Sequence, residues 1–201
     1  MQTKSSFSLA LLLFSFFGIS ILTMAQSENN SQLLPYYNIP EYPTDYSATT
    51  VAARMIDGLG FRYYWATEGL TEQDLQYKPS EEARTTRQTL EHIFGLSNVV
   101  KNAALNKANE GVDVSEWSFE ELRKGTLENI ALASKTMKEM DPKNIDELQL
   151  IFSTNEFPYW NLLNGPLADA IYHVGQVVSF RRASGNPISD KPRMLTGKAV
   201  D

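Results

Sequence analysis

Apolar residues recur at helical spacing in four stretches of this chain, with turn-forming residues between them. In the first stretch Val51, Met55, Leu59 and either Arg62 or Tyr63 follow one face, and Ser47, Thr49 or Thr50 can cap it. Gly58 and Gly60 weaken its middle, and the cluster Phe61, Tyr63, Tyr64 and Trp65 points to nearly every side. The second stretch offers Leu90, Phe94, Val99 or Val100, and Ala103 as a core stripe, ending near Asn106. Ser118 caps the third, where Glu120 and Glu121 suit the positive N-terminal end of a helix. Its apolar positions are Leu122, Leu127, Ile130, Ala131, Met137 and Met140, and Asp141-Pro142 ends it.

The fourth stretch opens around Phe157-Pro158-Tyr159-Trp160 and stops at Gly185-Asn186-Pro187. Leu163, Leu167, Ala170 or Ile171, Val174, Val177 or Val178, and Arg181 form its core stripe. Pro166 either kinks this helix or marks its true start. The pattern predicts helices over residues 49–68, 85–106, 118–140 and 158–184. The expectation is an all-α, four-helix bundle of the up-and-down type, with connection lengths leaving the topology open.

The connectors read differently. Residues 69–84 contain a short helical turn after Thr71 and end at Lys78-Pro79-Ser80. Residues 145–157 alternate weakly and read as a short strand or loop that pairs only locally.

The first 25 residues have the layout of a cleaved signal peptide. Lys4 is followed by an apolar run from Phe7 to Leu22, and Thr23-Met24-Ala25 supplies a small-residue cleavage site. Cleavage places Gln26 at the mature N-terminus and the protein in the periplasm or outside the cell, with no stable membrane insertion afterwards. The alternative for this segment is a membrane anchor. Residues 26–47 form an extended or disordered lead whose tyrosines can strap it to a domain spanning 48–190, and 191–201 form a C-terminal tail.

Composition narrows the chemistry. The formal net charge is -6 and no Lys/Arg cluster stands ready for phosphates, which excludes nucleic acid as a main partner. The chain has no cysteine, so disulfide staples, thiolate nucleophiles and thiolate-rich structural zinc are all excluded. A metal site must therefore draw on His, Asp and Glu.

There are only two histidines, His92 and His173, and both fall on predicted helices. Asp169 lies one turn before His173 on the same face. If the second helix turns His92 toward that face, two imidazoles and a carboxylate converge on one locus. Such a set leaves open coordination positions, as catalytic metal sites do. Taken singly, His92 and Asp169 read as packing or surface residues. Gln176 shares the His173 face and can support it, or simply pack. Glu91, adjacent to His92, points about 100° away and is no ligand. Tyr64, Trp65, Tyr159 and Trp160 can rim a pocket, although core packing suits at least half of them.

The segment DAIYHVGQVVSFRRASGNP resembles the last helix of the DinB-like (DinB/YfiT-like) superfamily, which often reads H-x-x-x-H-R-G-Q. His92, after a K-P-S connector, is similar to that family's helix-two histidine, and the resemblance covers about residues 48–190. It implies a four-helix bundle holding one metal through three side chains, usually all histidine. Here the first histidine of the motif is Asp169 and the usual Arg after His173 is Val174. Aspartate is a competent ligand for zinc, nickel, manganese or iron, so the implied site is His92, Asp169 and His173 with a divalent ion. Relatives include thiol-dependent S-transferases and isomerases, but an exported protein meets little reduced thiol.

Two functions follow as expectations. One is an exported metal-dependent hydrolase or group transferase acting on a small-molecule substrate, with no general acid or base assignable. The other is a non-enzymatic bundle that binds a small ligand or partner beside a vestigial metal site. A homodimer stays open in both.

Overall fold

The computed structural model describes residues 34–200. The expected signal peptide (1–25) and residues 26–33 of the lead lie outside the described residues. The described chain is mostly helical: α1 (Ala48–Thr67), α2 (Glu72–Gln76), α3 (Thr86–Ala104), α4 (Phe119–Glu139), α5 (Trp160–Leu162) and α6 (Ala168–Ser184). Strands β1 (Gln149–Ile151) and β2 (Glu156–Pro158) form one antiparallel hairpin, and β3 (Pro192–Arg193) and β4 (Lys198–Ala199) another. The expected connector over 145–157 thus does pair locally, but not only locally: Ile151 also bridges Ala108, and its carbonyl accepts from Asn109 N–H at 2.7 Å.

Side-chain caps set the helix starts. Ser47, Thr71, Thr85 and Ser118 each accept the backbone N–H three residues on, at Thr50, Asp74, Gln88 and Glu121, whose side chains bond back to the cap backbone. Each such cap contributes about 1 kcal/mol. The third expected helix begins where predicted, and the second ends two residues short of Asn106, which takes a left-handed φ of 50° after the Leu105 cap.

Two expectations are corrected. Val51 and Met55 are 48% and 44% exposed, and the buried face of α1 carries Ala52, Ala53, Ile56, Leu59 and Tyr63. An i, i+4, i+8 series drifts about 40° per step at roughly 100° per residue, whereas Ala52, Ile56, Leu59 and Tyr63 stay within about 60° of one another. The fourth helix does not open at Phe157-Pro158, because both residues pair in β2. It opens at Trp160 for one turn and passes through a wide π-type turn over Leu163–Leu167, where Gly165 leaves helical dihedrals (φ -99°, ψ -108°) beside Pro166. The continuous helix starts at Ala168 and ends at Gly185, whose φ of 93° makes the left-handed cap. Pro166, with no N–H to donate, marks the true start as expected.

Each long helix packs on two others: α1 and α3 both contact α4 and α6. Asp57 of α1 meets Ser134 and Lys138 of α4, and Tyr64 and Thr67 meet Arg123, so α1 and α4 are antiparallel. Along α3 and α4 the partners rise together, from Phe94 over Gly125 to Ser97 with Asn129, so these two run parallel. Simple up-and-down alternation is therefore absent, because connector 105–118 doubles back along α3. Asn98 and Asn102 hold its first half at Asn109 and Glu110, and Arg87 holds its end at Val114 and Trp117. Between these helices lie Leu59, Tyr63, Leu90, Ile93, Leu122, Leu127, Ile130, Met137, Leu162 and Leu167, all fully buried. Each such aliphatic side chain contributes about 1.5–3 kcal/mol on burial.

The lead and the tail grip the helices together. Tyr36 is buried against Gly60 and donates its hydroxyl to Asp57 at 3.0 Å. The Tyr37 ring packs on Tyr64 and Trp65, as the tyrosine content of the lead predicts. Ile39 N–H donates to the Gly197 carbonyl at 2.8 Å, and Asn38 Oδ1 accepts from Ala199 N–H at 2.7 Å. The tail is thus anchored through its hairpin to the strap.

Candidate metal centre

The locus is built by two helices. α3 presents His92 in its second turn, beside the buried Leu90 and Ile93 that fix its rotation. α6 presents Asp169 and His173 one turn apart, with Ala170, Val174 and Val177 buried beneath them. One ligand atom from each of His92, Asp169 and His173 falls within 4.8 Å of the others. His92 Nε2 lies 3.3 Å from Asp169 Oδ2, and His173 Nε2 lies 3.3 Å from Asp169 Oδ1. The two imidazoles meet edge to face, 4.6 Å between centroids at 87°.

Each His–Asp pair is spaced as two ligands of one small cation, with the two distances running to different carboxylate oxygens. Two ligands held about 2.0–2.1 Å from a tetrahedral ion sit roughly 3.3–3.4 Å apart. The donor set also fits: two imidazoles and one carboxylate, with no thiolate, suit a divalent first-row ion with coordination positions left for water or substrate. Exposure is graded across the three, with the side chains of Asp169 at 44%, His92 at 33% and His173 at 12%. The centre therefore opens to solvent on its carboxylate side and is closed behind His173.

The surroundings tune the ligands. His173 Nδ1 is 2.7 Å from Gln176 Oε1, so the residue sharing its face does contact it. Burial lowers the His92 pKa below the ordinary imidazole value, and the Arg84 charge and His173 add to this against the pull of Asp169. A depressed pKa leaves the His92 ring neutral, the form that ligates a metal. The exposed Tyr172 ring stands 5.4 Å from that of His173 at the mouth. Glu91, next to His92 in sequence, pairs instead with Arg87 at 2.7 Å.

The aromatic rim predicted from sequence divides. Trp65 and Tyr159 are buried, and Tyr64 lies under the Arg123 guanidinium at 4.7 Å. Trp160 is 75% exposed and borders an apolar groove of about 520 Å³ with Tyr46, Val51, Met55, Tyr159 and Leu163. None of the three candidate ligands lines that groove. Tyr159 and Trp160 thus do rim a pocket, as the sequence allowed, whereas Val51 and Met55, grouped there with Leu59 on one face, were not foreseen in its lining. Arg84 and Tyr172 were missed as neighbours of the centre, and only Tyr172, adjacent to His173, carried any sign of it in sequence.

Among known proteins, the chain matches no family model and no curated protein.

Proposed function

We propose that the protein is an exported, DinB-like four-helix bundle that binds one divalent ion through His92, Asp169 and His173 and uses it in a hydrolase or group-transfer reaction. The observation that carries this reading is the convergence of one ligand atom from each of the three side chains within 4.8 Å, with each imidazole Nε2 3.3 Å from an oxygen of the same carboxylate. The DinB-like assignment draws its support from the motif in α6 and the placement of His92, and export from the layout of residues 1–25. A divalent ion held there supplies Lewis-acid chemistry to a water or a substrate oxygen. The chain's own contribution is orientation: α6 fixes Asp169 and His173 as one rigid pair, α3 brings His92 across, and the exposed carboxylate side admits a small molecule. The lowered pKa of His92, caused chiefly by burial, favours the neutral ring that a metal needs.

The test is titration of metal-stripped protein with zinc, nickel and manganese, in wild type and in His92→Ala, Asp169→Ala and His173→Ala. One ion per chain in wild type, weakened in all three variants, supports the reading. No binding in wild type, or equal binding in all four proteins, overturns it.

A second reading, a ligand-binding bundle without metal chemistry, is favoured by the apolar groove beside Trp160, which is built from other residues than the metal locus. It becomes the better account if titration fails.

A further inference from the structure

We propose that Gln176 is a positioning residue that fixes the tautomer of His173 and so reserves the Nε2 lone pair for a cation; the inference rests on the metal reading above. A neutral imidazole carries a single ring proton, and two acceptors compete for that of His173. Gln176 Oε1 lies 2.7 Å from Nδ1, and Asp169 Oδ1 lies 3.3 Å from Nε2. The first is a full-strength hydrogen bond, whereas the second exceeds the usual N–H···O range of about 2.7–3.2 Å.

The alternative tautomer does not suit the amide as it stands. A proton on Nε2 would leave the Nδ1 lone pair facing the Gln176 oxygen at 2.7 Å, so the amide would have to turn over and donate its NH2 instead. With the proton on Nδ1, the Nε2 lone pair instead faces the Asp169 carboxylate at 3.3 Å. That is also a contact between acceptors, and a cation relieves it. The repulsion between these two acceptors thus falls where an ion would sit.

The geometry is carried by one helix. Asp169, His173 and Gln176 lie within about 60° of one another around α6, at roughly 100° per residue. Only 12% of the His173 side chain is exposed, so water competes little for Nδ1. His92 lacks this support: among the described residues only its Nε2 has a side-chain partner, Asp169. The two imidazoles are therefore unequal, with His173 set before the ion arrives and His92 selected on binding. Partners of this kind affect metal affinity about 10–100-fold when removed.

The experiment uses metal-stripped protein with 15N-labelled histidine at about pH 8, where free imidazole is neutral. Long-range proton–nitrogen spectra report the tautomer of each ring, and zinc titration follows on the same samples. Wild type is expected to hold His173 with its proton on Nδ1. Gln176→Leu should lose that preference and bind zinc about 10–100-fold more weakly. Gln176→Glu, which keeps an acceptor at the same reach, should restore both the tautomer and the affinity. A proton on Nε2 in wild type overturns the proposal, as does Gln176→Leu with an unchanged tautomer or an unchanged zinc affinity. If no protein binds zinc, wild type included, the metal reading falls alone. The positioning role then still stands if the Nδ1–H form disappears in Gln176→Leu.

Discussion

Arg181 Nη1 on α6 lies 2.8 Å from the carbonyl oxygen of Glu68 at the end of α1. The same nitrogen reaches the Ala66 carbonyl at 3.1 Å, and Nε donates to the Asn186 carbonyl at 2.8 Å. One buried guanidinium therefore satisfies the open carbonyls of α1 and ties them to the loop after α6. The sequence places Arg181 near the negative end of its own helix; its larger service is to its neighbour. It also fixes how α6 lies across the helices, and hence where Asp169 and His173 point.

Arg181→Ala should cost roughly 2–4 kcal/mol, because several buried carbonyls lose a charged donor at once. Arg181→Lys should recover only part of this, since a single ammonium cannot serve two chain segments as a planar fork does. Urea unfolding midpoints measure both. A loss within about 0.5 kcal/mol, the range of an ordinary surface change, contradicts the capping role.

Gly60→Ala should destabilise the protein although alanine is the better helix former by about 1 kcal/mol. A Cβ there would stand 2.5 Å from the Tyr36 ring, whose place is fixed by its bond to Asp57. The ring must leave, and the strap with it. Limited proteolysis should then cut within residues 34–46 sooner than in wild type, and Tyr36→Ala should show the same cutting. Protection unchanged in both variants argues against the latch.

Much of this fold was legible in sequence because its signals are local. Ser47, Thr71, Thr85 and Ser118 cap the helices they precede, Pro166 breaks the last one, and Gly185 ends it. The parallel run of α3 and α4 was not legible, since it depends on Asn98, Asn102 and Arg87 gripping a distant connector. The site divides likewise. Asp169, His173 and Gln176 share a face by helix geometry alone. The inward turn of His92 depends on which side of α3 buries Leu90 and Ile93, and that is a tertiary matter. Of the groove beside Trp160 only Tyr159 and Trp160 were legible; the share of Val51 and Met55 stayed hidden because exposed and buried apolar residues look alike in a one-dimensional pattern.

Asp74 should make stability fall with acid. It is buried, which opposes its charge, but bonds from Ser184, Asn186 and Thr71 outweigh burial and hold its carboxyl well below the usual carboxylate range. A folded pKa below the unfolded one gives stabilisation that is fully present above the unfolded carboxylate value and is lost as pH falls toward the folded value. Asp74→Asn should therefore cost about 1.5–3 kcal/mol at neutral pH, and the gap to wild type should narrow steadily below pH of about 4. Unfolding midpoints across that range test it. A gap that stays constant would mean that ionisation of Asp74 does not carry the stabilisation.

Asp169→His should change which metal the centre prefers. The carboxylate is the one hard, charged donor of the proposed set, and its two oxygens face His92 and His173 at 3.3 Å each. Hard ions such as manganese favour carboxylate oxygen, whereas zinc and nickel accept imidazole readily. A third imidazole also removes one negative charge from the locus. Manganese affinity should then drop by about tenfold or more, while zinc and nickel hold within a few-fold of wild type. Asp169→Asn keeps the shape without the charge and should weaken all three ions. Calorimetric titration of stripped wild type and both variants with each ion separates these effects. Equal losses for manganese and zinc in Asp169→His would show that the substitution disturbs the site by its bulk. Manganese bound unchanged by Asp169→Asn would remove the carboxylate from the ligand set.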